Sequence, residues 1–313
     1  MYQLDPNIPW RIIFYHSQHI NMFTLLRIEL FKIFKRPRTY IAFAVITVII
    51  LLIQIALKFG GKEYVGVMMS GLSGAFEVPT EQILNGYLVC YIILNLLLIH
   101  VPILVALIAG DMVAGEANMG TLRLLASKPL SRTQLLLVKF TASVIYTLLL
   151  LVWVAVLSLL LSILLFGTND LFVAREFESN IISVSDVMWR YFAAFAFAAL
   201  ALTTVAALAF MFSVFAENSI GPIVATVCVI IVFTILTQIQ IPFYDETVKP
   251  WLFTTHMLGW KGFFYVKGLE GVTVNGSVED INAIINSALI LFVYTALFLL
   301  IAIWYFRKKN ILS

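Results

Sequence analysis

Few residues in this chain could do chemistry, and their spacing argues against most of it. The four histidines, His16, His19, His100 and His256, are scattered. His16 and His19 stand three apart near the N-terminus, and a lone pair of that kind is ordinarily solvated. There is no H-E-x-x-H run and no G-x-S-x-G elbow. Cys90 and Cys228 both lie in apolar runs. They read as small buried hydrophobes and make neither a disulfide framework nor a Cys-rich metal site. Gly60-Gly61-Lys62-Glu63 lacks the spacing and the hydroxyl residue of a phosphate-binding loop. The sequence therefore predicts no catalytic residue, no metal and no cofactor of the chain's own.

A second group consists of polar residues inside apolar runs, where they are costly in lipid: Gln54, Asn95, His100, Gln238 and Gln240. His100 precedes Pro102, which would kink a helix and free a carbonyl. Asn95 and His100 have two readings. They line a substrate path, or they are hydrogen bonders between helices or near an interface. The runs carry no ladder of acids, which argues against an ion-driven carrier.

The most specific stretch is 110–140, GDMVAGEANMGTLRLLASKPLSRTQLLLVKF. Asp111 ends an apolar run, and Gly115 and Gly120 permit sharp backbone changes. Residues 121–126 have the pattern of a short amphipathic helix that Pro129 terminates. Ser131 and Gln134 have the spacing of a capping box, which would open the next helix. The prediction is two helical pieces joined by a tight turn, of mixed charge, at a membrane surface. Such an element suits docking to a soluble partner, and it is also what an ordinary loop between spans looks like.

These residues must be positioned by elements that live in lipid. Of 313 residues, 62% are hydrophobic and 12% charged, with a mean hydropathy of +1.00. Soluble domains carry about twice that charge. The net charge of +3 is too small to imply nucleic acid. Six apolar runs reach the roughly 20 residues that a bilayer core requires: 40–57, 83–110, 134–166, 188–215, 220–241 and 284–306. The third exceeds one perpendicular span and is expected to tilt or to project into water. Continuous runs, without strand-like alternation, predict helices rather than a barrel. No apolar h-region precedes the first run, which is therefore expected to be retained as a span.

Thirteen of the twenty basic residues cluster in the N-terminal segment, in the loop after the second span and beyond the last. With an even number of spans, both termini are expected to be cytoplasmic. Residues 22–36 have helical periodicity, with Met22, Phe23, Leu26, Leu30, Ile33 and Phe34 on one arc. Arg27, Lys32, Lys35 and Arg36 lie opposite, and Leu25, Ile28 and Phe31 interrupt that polar side. This segment lies on the membrane or packs on protein. The last outer loop, 242–283, is rich in aromatic residues and reads as short helices dipping toward the membrane or as a lid that seals the bundle. The fold class is all-α: a polytopic membrane protein with six transmembrane helices and an N-terminal amphipathic surface helix. Residues 1–39 form the N-terminal segment and 40–313 the membrane domain.

The stretch 110–140 resembles the ABC-2 type permeases, membrane subunits of ATP-driven bacterial transporters. The resemblance rests on Glu116, Gly120, Thr121, Leu122, Arg123, Leu124, Leu125, Ser127, Pro129, Ser131 and Arg132, about a tenth of the chain. Within that family it is similar to the subgroup that includes the nitrous-oxide reductase maturation permease. The resemblance implies that two permease chains pair, as a homodimer or a heterodimer. Each would dock on a separate ABC ATPase subunit that binds ATP and Mg. Glu116, Gly120, Thr121, Leu122, Arg123, Pro129, Ser131 and Arg132 would form the coupling element within loop 111–133. The surface helix would be the connecting helix beside it. Export across a bacterial cytoplasmic (inner) membrane is the expected direction, with no hydrolysis by this chain. Apolar spans fit a lipid-like, peptide or drug-like cargo better than a small ion. A stand-alone carrier or channel, or a membrane anchor for an ATPase, remains the alternative.

Overall fold

The structure, a computed structural model, describes residues 21–70, 83–121, 131–174, 179–239, 241–269 and 272–309. Helix α1 (Met22–Lys35) begins at Asn21, whose side chain accepts from Phe23 N. It stops because Arg36 is extended, as a residue before proline prefers. Pro37 then opens α2 (Pro37–Ser70), at the helix position where its missing N–H costs nothing. The sequence expectation ended this span at 57, where Lys58 interrupts the apolar run. The helix instead continues through Lys58, whose Nζ donates to Leu165 O at 2.8 Å. Gly61 also stays helical and lies so close to Leu84 that a Cβ there would sit 2.5 Å from its Cδ2.

Helix α3 (Gly86–Ala109) is capped by Asn85, whose Oδ1 accepts from Tyr87 N and Leu88 N. A short helix α4 (Ala114–Asn118) follows. Helix α5 (Arg132–Ala155) opens with the expected capping box: Ser131 Oγ accepts from Gln134 N, and Gln134 Oε1 accepts from Ser131 N. The span runs on through a π turn (Val156–Leu160) into α6 (Leu161–Phe166). Gln54 Nε2 donates to Leu157 O within this wide turn and to Ser162 Oγ, both at 2.9 Å. Gln54 is thus a bond between helices.

An antiparallel hairpin pairs β1 (Leu171–Ala174) with β2 (Ser179–Ile182), Leu171 opposite Ile182. Helix α7 (Val184–Phe215) is the most enclosed span, with 61% of its apolar window buried. Helix α8 (Ile220–Thr237) ends at Gln238, short of the expected 241, because Pro242 begins α9 (Pro242–Thr247). A 3-10 turn, α10 (Phe253–Met257), a second 3-10 segment (Leu258–Phe264) and a two-residue pair of strands, β3 (Gly268–Leu269) and β4 (Val272–Thr273), follow in the loop 242–283. Helix α11 (Ile281–Lys308) is the sixth long apolar helix and packs along α7.

The chain is an all-α polytopic membrane protein, and its described residues include six helices long and apolar enough to cross a bilayer. Its outward apolar side chains, such as Phe59, Leu164, Phe192 and Leu300, require lipid around them. The loop 242–283 packs on the bundle. It forms short helices, and it covers the ends of α3 and α7 through Tyr91–Trp260, Tyr91–Phe264 and Tyr191–Phe264 ring contacts of 5.6, 5.3 and 4.9 Å. Arg190, fully buried on α7, anchors it: its guanidinium donates to Phe263 O and Ser277 O, and to Asp186 one turn earlier.

Candidate functional site

The charges gather at the opposite end, where α1, α4 and the start of α5 meet. Helix α1 packs on α5 through Leu25, Glu29 and Ile33, spaced four apart and all buried. Leu25, which the periodicity had set on the polar side, belongs to this stripe. Phe23, expected on the apolar arc, is 78% exposed, and Ile28 and Phe31 are exposed with it. The helix therefore has two apolar strips, one on protein and one facing outward.

Glu29, the one acid of α1, meets two ammoniums and, through them, a second acid. Lys32 Nζ lies 2.8 Å from Glu29 Oε1 and 2.9 Å from Glu116 Oε1. Lys139 Nζ lies 2.8 Å from Glu29 Oε2 and 2.7 Å from Glu116 Oε2. Each carboxylate gives one oxygen to each lysine, so four charges close a ring. Glu29, Glu116 and Lys139 are buried, and Lys32 is half-exposed. Burial pushes the Glu29 carboxyl up, but Lys139 and Lys32 outweigh it and hold it below its ordinary range. Burial likewise pulls Lys32 down, but Glu29 and Glu116 outweigh it and hold the ammonium above its ordinary value. Glu29 and Lys32 are therefore both charged at neutral pH.

A second cluster adjoins the ring. Asp111, at the end of α3, takes Arg36 and Arg38 and also accepts from the Ser219 hydroxyl just before α8. Gly115 is required here for space, since a Cβ would sit 2.4 Å from Asp111 Oδ1. Gly120 is required for backbone, with φ of +69°. Val113 N and Ala114 N, which open α4, both donate to Ser213 Oγ on α7.

The residues singled out from sequence are thus divided. Glu116 points into the bundle and belongs to the ring. Thr121 Oγ1 donates to Glu116 O, and the exposed tip of the described loop is Asn118, Met119 and Gly120. Ser131 caps α5. Arg132 donates to the carbonyls of Arg307 and Lys309, tying the start of α5 to the end of α11. Leu122, Arg123 and Pro129 lie outside the described residues, as do His16, His19 and Gln240. Asn95 and His100 are not brought together. Asn95 Nδ2 donates to Tyr91 O, His100 Nδ1 meets Leu96 O, and His100 is exposed on the bundle's flank. Among the described residues, no three His, Cys, Asp or Glu cluster as metal ligands.

Sequence reasoning missed Glu29, Lys32, Asp111 and Lys139 as partners. Two signals were available. Glu29 is the lone acid in a basic helix, midway between Leu25 and Ile33. Lys139 is a single charge well inside an apolar run, where solvation cannot be its purpose.

The arrangement defines a multi-pass helical membrane protein whose surface helix and one short loop are wired to its spans by buried ion pairs. Residues 44–312 match the family described as "Protein of unknown function (DUF2705)", and the chain belongs to that family. A relative from Bacillus subtilis (strain 168), described as "Uncharacterized protein YhcI", is 28% identical over 211 residues. The match covers 66% of this chain and 63% of the relative, less than two thirds of the relative's length.

Proposed function

We propose that this chain is the permease subunit of an ATP-binding cassette transporter of the ABC-2 type, working with a separate ATPase subunit. The observation that carries the reading is the ring of Glu29, Lys32, Glu116 and Lys139. A push on the loop tip or on α1 reaches α5 through buried charges that cannot be separated cheaply. Breaking such a pair by removing one partner costs about 3–5 kcal/mol. Each lysine already touches both carboxylates, so α1 can pivot against the loop while every charge keeps a partner. In this reading Glu116 is the root of the coupling loop, α1 is the connecting helix, and ATP and Mg bind the partner. Two such chains, identical or different, pair in a bacterial cytoplasmic membrane with both termini inside, and export is the direction.

A second reading is favoured by one observation. Asn95 and His100 each bond within their own helix, Asn95 half-buried and His100 exposed. A membrane anchor for an ATPase would need the ring and no path.

The test is purification of tagged chain from native membranes in mild detergent, with ATPase activity assayed in the eluate. The expected result is a co-purifying nucleotide-binding subunit, lost when Glu116→Gln is combined with Arg123→Ala. A chain that emerges alone and without ATPase activity overturns the coupled reading. A coupled chain that moves no cargo in vesicles selects the anchor.

A further inference from the structure

The ring balances two acids against two bases, but the neighbouring cluster does not. Among the described residues, Arg36 and Arg38 share a single carboxylate, Asp111, which leaves one positive charge in excess. Asp111 is sealed, with its side chain 4% exposed, while the guanidinium side chains of Arg36 and Arg38 are 29% and 43% exposed. Each guanidinium carries five N–H donors, more than Asp111 can occupy. The two arginines line a small open cavity together with Lys32 and Thr39, and the carboxylates of Glu29, Asp111 and Glu116, each already paired with a cation, line it too.

The surroundings say at what height this cavity sits. It lies at the elbow between α1 and α2, where a surface helix becomes a span. Phe23, Ile28 and Phe31 on one side, and Tyr40 and Ile41 on the other, present exposed apolar surface. Lys35 adds a further cation, its Nζ 5.8 Å from the centre of the Phe31 ring. An anion held at this level with hydrocarbon on both flanks is an amphiphile. Pockets of this kind between basic residues and membrane helices take lipid headgroups.

We propose that the elbow cavity binds the phosphate of an anionic phospholipid through Arg36 and Arg38, with its acyl chains against the exposed side chains of α1 and of the start of α2. The lipid completes the charge balance that Asp111 leaves short and fastens the elbow to the bilayer. The inference goes beyond the transporter reading and does not depend on it, since it concerns a membrane-surface site whatever the ring drives.

The test is native mass spectrometry of the full chain in detergent, titrated with phosphatidylglycerol and with phosphatidylcholine of the same acyl composition. The expected result is an about tenfold preference for the anionic lipid. Arg38→Gln, which keeps Asp111 paired with Arg36 and so spares the fold, reduces that preference by about fivefold. Arg38→Lys, which keeps the charge, retains most of it. Equal retention of the two lipids by the unaltered chain overturns the proposal, and so does an Arg38→Gln chain with an unchanged preference. Displacement of the lipid by inorganic phosphate at millimolar concentration also overturns it, by showing a site for a soluble anion.

Discussion

The two ends of this bundle hold themselves together in opposite ways. At the aromatic end, Arg190 and Asp186 sit on the same helix, and the guanidinium spends its other donors on the backbone carbonyls of Phe263 and Ser277. Those acceptors belong to the backbone and cannot change charge, so the loop 242–283 is held firmly. At the charged end, Glu29, Lys32, Glu116 and Lys139 come from three separate elements, and each has two partners. Such a contact resists separation but tolerates rearrangement. A protein that must seal one face and move the other would be built this way.

That contrast can be broken most forcefully at Arg190. Replacing it with Met leaves Asp186 buried without its cation and strips two carbonyls of their donors. The expected loss is about 3–5 kcal/mol, seen as a large drop in the thermal midpoint in detergent. A midpoint within a degree of the unaltered chain would mean that the aromatic packing holds the lid without Arg190.

A smaller effect is expected at the charged end. Lys139→Met leaves Glu29 and Glu116 facing each other with Lys32 alone between them, a loss of about 3 kcal/mol. It should appear as faster tryptic cleavage after Arg27 and Lys32 in α1. Adding Glu116→Gln should restore most of the protection, because Lys32 then faces the single carboxylate of Glu29 and the ring is neutral again. A double variant as labile as the single one would show that the lysine acts by packing and not by charge.

The smallest expected effect is in pH. A carboxyl held below its ordinary value of 4.5 contributes stability that is present above that value and lost as pH falls through it. An ammonium held above 10.5 contributes stability present below that value and lost only at higher pH. Docking of α1 should therefore be constant across the neutral range and loosen in acid below pH 4.5. Hydrogen exchange of the 22–35 amides, corrected for intrinsic rates, reads this directly, and Glu29→Gln should flatten the acid limb. An acid limb that survives the substitution would assign it to another group.

Much of this was legible from composition and local pattern. Six apolar runs announce six helices because lipid leaves the backbone only helices or a closed barrel, and continuous runs without alternation exclude the barrel. The Ser131–Gln134 box is a contact between neighbours in sequence, and it forms as read. What could not be read were contacts between distant residues. Glu29 and Lys139 are 110 positions apart, and neither carries a local mark of the other. Lys139 counts toward orientation like any cation near a span, yet it is 1% exposed and belongs to the ring. The π turn at Val156–Leu160 was equally invisible, since VLSLL differs in no obvious way from the helix around it. Only the facing Gln54 gives it a reason.

The tie at the end of α11 bears on the order in which the chain is made. Arg132 holds the carbonyls of Arg307 and Lys309, while Lys309 Nζ reaches Val214 O and Ala216 O at the end of α7. The start of α5 and the end of α7 thus wait for residues translated more than ninety positions after the end of α7. Until then the most enclosed helix of the bundle has a side bare to lipid. The tie from α11 is consequently the last of these contacts to form during synthesis, long after every residue of the ring at the same end has been made.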